Sequence, residues 1–211
     1  MSWTVKNLVL PLVLLCLWLL QEGAQACSCG ATHPQQGFCQ ADVVIKAKVV
    51  GVKADDDFFK PIKYSIKQTK MFKGPDKNFD AIYTAPTSSL CGVTLAKGVE
   101  YLITGRLKSN DSLHITLCNF LEPWEKLTAI QRNSLVERYE MGCDCKITPC
   151  TSIPCAISSP AECLWTDYLT EKITNGKQAR HFACIKRNDN SCAWYRGAEL
   201  PKKKFMDIED P

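Results

Sequence analysis

Asp42-Val43-Val44-Ile45-Lys46-Ala47-Lys48-Val49-Val50 is the stretch that decides the fold. Ile45, Ala47 and Val49 alternate with Lys46 and Lys48, the period-two pattern of a strand with one buried and one wet face. The pattern recurs downstream. Residues 62–72 set Tyr64 and Ile66 among lysines until Gly74-Pro75 ends the run, and residues 79–84, 99–106 and 113–117 give three more strand signals. Five strands with short connections before any long helix predict a small closed barrel of the five-stranded Greek-key OB type, in which closure removes exposed edges. The first hairpin tip, Asp55-Asp56-Asp57-Phe58-Phe59, is polar with two aromatics, which are either target contacts or a collapsed tip.

Beyond the strands, Thr128-x-x-Gln131 is a capping box that starts a helix. Leu135, Val136 and Tyr139 fall on one side of it at 100° per residue, and Gly142 stops the run, so the helix is expected to cover one barrel face. From Cys143 the texture changes to short patterns around cysteines: Leu164-Trp165-Thr166-Asp167-Tyr168-Leu169, Ala183-Cys184-Ile185 and Cys192-Ala193-Trp194-Tyr195, with Asp189-Asn190 as a hairpin turn. Trp165, Trp194 and Tyr195 read as core of this part. A unit of about 65 residues cannot build a large core, so disulfides must replace burial. The expected division is 1–26 signal peptide, 27–144 barrel domain, and 145–211 stapled subdomain and tail. The tail pairs a basic half, Lys202-Lys203-Lys204, with an acidic half, Asp207-Ile208-Glu209-Asp210-Pro211.

Upstream, residues 8–20 are apolar behind a single cation, Lys6, and are too short for a comfortable membrane span. Ala24-Gln25-Ala26 is the small-x-small pattern cut by signal peptidase. Cleavage there makes Cys27 the first residue, with a free α-amino group, and leaves 185 residues with no span-length apolar run. The protein is thus expected to be secreted and extracellular. Of thirteen cysteines, Cys16 leaves with the signal, and the even dozen that remain read as six disulfides. The count leaves roughly ten thousand connectivities open. Zinc-finger use of the same cysteines belongs to reducing compartments. Lys6 and Glu22 leave together, so the net charge stays at +4. That balance permits weak attraction to polyanionic matrix without demanding it, and calls for no nucleic-acid partner. Asn110-Asp111-Ser112 is a glycosylation sequon in a polar turn.

Several stretches together resemble one family. They are Cys27-Ser28-Cys29 with His33-Pro34-Gln35, Val44-Ile45-Lys46-Ala47-Lys48, Ser89-Leu90-Cys91-Gly92, Cys143-Asp144-Cys145-Lys146, Glu162-Cys163-Leu164-Trp165-Thr166-Asp167 and Cys192-Ala193-Trp194-Tyr195-Arg196-Gly197. The chain is similar in these to the tissue inhibitors of metalloproteinases, over the whole mature length, and residues 64–74 and the final five residues most resemble that family's second paralogue. The resemblance implies a netrin-like domain on the OB barrel. It also implies the pairs Cys27–Cys91, Cys29–Cys118, Cys39–Cys143, Cys145–Cys192, Cys150–Cys155 and Cys163–Cys184, each long loop stabilising by up to ~4 kcal/mol in the chain-entropy model. Two departures stand out: Ala31 where the family has proline, and a first hairpin loop shorter than the second paralogue's extension.

The resemblance further implies a 1:1 inhibitor of zinc endopeptidases, including matrix metalloproteinases, with no cofactor of its own and with zinc supplied by the target. The amino nitrogen and carbonyl oxygen of Cys27 would chelate that zinc, with Ser28 entering the specificity pocket. Cys29, Gly30, Ser88, Ser89, Leu90, Cys91 and Gly92 would complete the contact. A terminal amine suits the task, since its pKa of roughly 7.7–8.0 makes neutralisation at pH 7 cost about 1 kcal/mol, against about 4–5 for a lysine. Docking of the C-terminal part onto the haemopexin-like domain of a progelatinase is also implied. His33, His114 and His181 are scattered with no H-E-x-x-H, so the chain is read as an enzyme inhibitor and not a zinc protease. Two other functions compete: a netrin-like extracellular module that binds matrix or growth factors without inhibition, and a redox enzyme using Cys150-x₄-Cys155, which lacks C-x-x-C spacing and an activating partner.

Overall fold

The computed structural model describes residues 27–54 and 60–197. The signal segment, the tip 55–59 and the tail lie outside the described residues. Helix α1 (Pro34–Gln40) leads into β1 (Val43–Lys53), β2 (Ile62–Lys73), β3 (Ala81–Thr84), β4 (Glu100–Leu107), β5 (Leu113–His114) and β6 (Leu121–Pro123). Helix α2 (Ala129–Glu137), β7 (Lys146–Pro149), β8 (Glu162–Trp165), short helices α3 (Asp167–Glu171) and α4 (Lys177–His181), then β9 (Phe182–Lys186) and β10 (Cys192–Arg196), complete the order.

The sheet runs β1-β2-β3-β5-β4-β6, and β1 also pairs with β4, which closes a five-stranded ring. All pairings in it are antiparallel except β3 with β5. β5 and β6 follow one another along the same edge of β4. The expected strand over 113–117 is cut to two residues because Thr116 turns: its N–H donates to Asn119 Oδ1, and Asn119 N–H donates back to Thr116 O. Ile115 stays buried in the barrel all the same.

The alternation seen in sequence sorts the side chains. Val43, Ile45, Ala47 and Val49 pack inside the barrel with Tyr64, Ile66, Ile82, Ile103, Leu113 and Ile115. Val44 and Leu102 point the other way, into a second cluster with Phe38, Leu127, Leu135, Tyr139 and Ala183. Thus α1 and α2 do cover an outer barrel face. The capping box is present in full, with Thr128 Oγ1 accepting from Gln131 N–H and Gln131 Oε1 accepting from Thr128 N–H. The helix ends at Glu137, before Gly142, and Val136 is 61% exposed. At 100° from Leu135 it falls off the packed stripe, so only Leu135 and Tyr139 of the expected trio are buried.

A third cluster holds the region after Cys143: Ile147, Trp165, Ala179, Cys145, Cys163 and Cys184. Trp194 packs against it and donates Nε1–H to Leu164 O at 2.8 Å. Tyr195, the next residue along the strand, faces outward at 49% exposure, with the Arg138 guanidinium 5.0 Å over its ring. The buried Glu162 carboxylate accepts hydrogen bonds from Thr148 Oγ1, Ser158 N–H and Ser158 Oγ, which with nearby Lys146 hold its pKa down at about 2. The β9–β10 turn runs through Asp189-Asn190, and Asn190 takes a φ of 64°. The six disulfides join Cys27–Cys91, Cys29–Cys118, Cys39–Cys143, Cys145–Cys192, Cys150–Cys155 and Cys163–Cys184, the pairing implied by the resemblance.

Candidate functional site

Cys27, Ser28, Cys29 and Gly30 form an irregular segment on the surface, with the last three exposed. Two disulfides fasten it to the barrel, at Cys91 and Cys118. Beside it runs a 3-10 turn, Ser88–Leu90, also exposed, with Leu90 at 53%. Cys27 N–H donates to Ser89 O at 3.2 Å, so the two segments meet through backbone as well as sulfur.

The turn is built locally. Leu90 N–H and Gly92 N–H both donate to Thr87 O, and Cys91 N–H donates to Ser88 O. The hydroxyls of Thr87 and Ser89 lie 2.8 Å apart. Cys91 adopts a φ of 65°, which swings its sulfur back toward Cys27. Gly92 is required where it stands: a Cβ there would meet Ala85 O at 2.1 Å and Thr87 O at 2.8 Å.

A third line of chain completes the surface and was not singled out from sequence. Leu117 N–H donates to Cys91 O at 2.9 Å, and the Leu117 side chain is 46% exposed. The available signal was Cys118, next to it and paired with Cys29. The result is a ridge of three strands of backbone, with Ser28, Ser89, Leu90 and Leu117 facing out. Asn110 is not part of it; it sits in the exposed β4–β5 turn.

Behind the ridge the chain is anchored in the distant half of the molecule. His33 caps α1, accepting from Gln35 N–H on Nδ1, and is buried between the rings of Trp165 and Trp194 at 5.4 and 5.2 Å. Burial holds its pKa down at about 4, against the opposing pull of the Gln178 backbone and the Asp167 carboxylate. Gln35 is buried too: its amide donates to Cys184 O and Tyr139 O, and its carbonyl accepts from Cys184 N–H.

The sulfurs of Cys27, Cys91 and Cys118 lie close together, as do those of Cys145, Cys184 and Cys192. All six are in disulfides, so neither group has a thiolate to ligate a metal. Among the described residues no helix is long and apolar enough to cross a membrane.

The family model described as tissue inhibitor of metalloproteinase matches residues 25–194. The chain is 57% identical to Metalloproteinase inhibitor 2 of Canis lupus familiaris and 56% identical to that of Homo sapiens, each over 220 aligned residues covering all of both chains. The Gallus gallus protein of the same name is 54% identical over 197 residues, covering 89% of this chain and 90% of its own. These relatives bear the name of the paralogue that the sequence resembles. The chain belongs to the tissue inhibitor of metalloproteinase family.

Proposed function

We propose that this protein, secreted and cut before Cys27, inhibits zinc metalloendopeptidases of the matrix metalloproteinase class in a 1:1 complex through the Cys27–Gly30 and Ser88–Gly92 ridge. The observation that carries this reading is the pair of exposed segments held side by side by Cys27–Cys91 and by the Cys27-to-Ser89 hydrogen bond. The inhibitory unit is 27–144, and 145–211 is the accessory unit.

A catalytic zinc keeps one position open for water or substrate. The Cys27 nitrogen and carbonyl oxygen are set to fill it as a five-membered chelate, displacing the attacking water. Removal of residues 1–26 is essential, because an amide nitrogen has no lone pair to give. Ser89 O, at 3.2 Å, orients the freed amine. Ser28 enters the pocket beyond the zinc, and its small side chain favours tolerance over sharp selectivity. No peptide bond then precedes Cys27, so the bound strand is not cut. Two disulfides order the segment before binding, which lowers the entropy lost in the complex.

The test is inhibition of a matrix metalloproteinase catalytic domain by the mature protein and by a form carrying one extra alanine before Cys27. Potency is expected to fall by two orders of magnitude or more, with unchanged thermal stability. Equal potency would refute the chelate, and absence of inhibition by both folded forms would favour a non-inhibitory netrin-like module. In the same reading, the C-terminal unit docks the haemopexin-like domain of a progelatinase through its acidic tail. Unchanged proenzyme affinity after deletion of residues 202–211 would count against that docking.

A further inference from the structure

Three cysteine sulfurs converge at the ridge. Those of Cys27, Cys91 and Cys118 lie within 4.8 Å of one another, yet they belong to two different disulfides, Cys27–Cys91 and Cys29–Cys118. Cys118 thus sets its sulfur against the neighbouring bridge while it is bonded to Cys29. The backbone holds the segments there without help from sulfur. Leu117 N–H donates to Cys91 O at 2.9 Å, and Cys27 N–H donates to Ser89 O at 3.2 Å. When the Cys29–Cys118 bond opens, Cys118 therefore stays beside Cys91.

Access separates this cluster from its counterpart. Cys145, Cys184 and Cys192 also bring two bridges together, Cys145–Cys192 and Cys163–Cys184. There Cys145, Cys163 and Cys184 are buried, which shields them from a dissolved thiol. At the ridge Cys29 and Cys118 are exposed, and Cys27 and Cys91 are half-buried. Exchange requires a thiolate to reach a disulfide sulfur, so Cys29–Cys118 is the point of entry. Little packing opposes release of the terminal segment: Ser28, Cys29 and Gly30 are exposed, and a Cβ on Gly30 would meet nothing within 4 Å.

We propose that the Cys29–Cys118 disulfide is a modification site for small-molecule thiols of the glutathione class, and that attack there rearranges the two ridge disulfides into Cys91–Cys118 and Cys27–Cys29. The small thiolate attacks Cys29 Sγ; a mixed disulfide forms, the Cys29–Cys118 bond breaks, and Cys118 leaves as thiolate. That thiolate attacks Cys91 Sγ across the contact already in place. The Cys91–Cys118 bond forms as Cys27–Cys91 breaks, and the negative charge passes to Cys27. Cys27 then attacks Cys29 Sγ, two residues away, and the small thiolate leaves again. Each step forms one S–S bond and breaks one, so nothing is oxidised or reduced overall. The terminal segment loses both links to the barrel, while α1 keeps the Cys39–Cys143 bridge and the buried contacts of His33 and Gln35. Loss of inhibition by the rearranged form rests on the proposed inhibitory ridge; the exchange itself does not.

The test incubates the mature protein with reduced glutathione at about pH 8, where the thiol is partly ionised. Samples are quenched with acid, alkylated, digested without reduction and mapped by mass spectrometry, with metalloproteinase inhibition measured alongside. A peptide pair joined through Cys91–Cys118 and a peptide closed through Cys27–Cys29 should appear about tenfold or more faster than any change at Cys145–Cys192 or Cys163–Cys184, because access limits the rate. Tryptophan fluorescence should stay native, and inhibition should fall with the rearranged fraction. The variant C29S/C118S removes the nucleophile, so its Cys27–Cys91 bridge should survive the same treatment. Opening of that bridge at the wild-type rate in the variant would overturn the proposal. So would reduction or glutathionylation of the ridge cysteines with no Cys91–Cys118 linkage, equal rates at the two clusters, or no change in wild type. Rearrangement with inhibition fully kept would support the exchange and count against the ridge as the inhibitory surface.

Discussion

Acidification from pH 7.5 to 5 should loosen the joint between the barrel and the cysteine-rich region through one residue, His33. The ring is buried against Trp165 and Trp194, and its Nδ1 accepts the Gln35 N–H, so the neutral form with its proton on Nε2 is the one that fits. Burial lowers the pKa from 6.5 to about 4. In the unfolded chain the same imidazole takes up a proton near 6.5, so between those values the unfolded state binds more protons and stability falls with falling pH. Each unit of difference corresponds to 1.36 kcal/mol, so the loss is about 2 kcal/mol at pH 5 and about 3 kcal/mol at pH 4. The stabilisation is present in full above pH 6.5.

The assay is urea denaturation followed by tryptophan fluorescence, read by linear extrapolation, on wild type and His33→Asn at pH 7.5 and pH 5. Asparagine keeps a cap that accepts the Gln35 N–H but removes the titrating, space-filling ring. The variant should be less stable at pH 7.5 by about 2–4 kcal/mol for the lost packing. It should lose about 2 kcal/mol less than wild type on going to pH 5. His114, whose pKa burial also lowers, is common to both proteins and cancels in the difference. Equal losses in the two proteins, or an NMR titration of His33 with a midpoint above 6, would refute the reasoning.

Gly92→Ala drives a methyl group into the Ala85 and Thr87 carbonyls, so it should displace the 88–90 turn, weaken metalloproteinase inhibition at least tenfold and lower the thermal midpoint together. A fall in stability with inhibition unchanged would show that the turn takes no part in the contact. Asn110 should carry an N-linked glycan when the protein passes through a eukaryotic secretory pathway. It lies in an exposed turn where Ser112 N–H and Oγ donate to its Oδ1 at 3.2 and 2.6 Å, leaving Nδ2 as the atom a glycan joins. Peptide:N-glycosidase treatment should then shift the mass of wild type and not of Asn110→Gln, with inhibition the same before and after; no shift in wild type would refute it.

Features written in neighbouring residues were legible from the sequence alone. The alternation over 43–49 gave an inside and an outside to β1, Thr128 and Gln131 marked a helix start, and Asp189-Asn190 marked a turn. Each depends on groups within a few positions of one another, where periodicity and capping act. The resemblance carried the disulfide pairing, which the cysteine count left open. What only the tertiary structure decided involves partners far apart in the chain. Val136 and Tyr195 are apolar by composition, and whether they are covered depends on which neighbour reaches them; none does so fully, and both stay exposed. The strand over 113–117 stops early because Asn119 folds back on Thr116. Leu117 joins the ridge because Cys91 O lies opposite its N–H. Gln35 shows the limit most plainly. In sequence it is a polar residue among others, yet in the fold it meets the backbone of Cys184, 149 positions away. A buried amide must find its hydrogen-bond partners wherever closure of the chain brings them. Local sequence sets which groups need partners, and the packed barrel and its cysteine-rich neighbour decide which ones they meet.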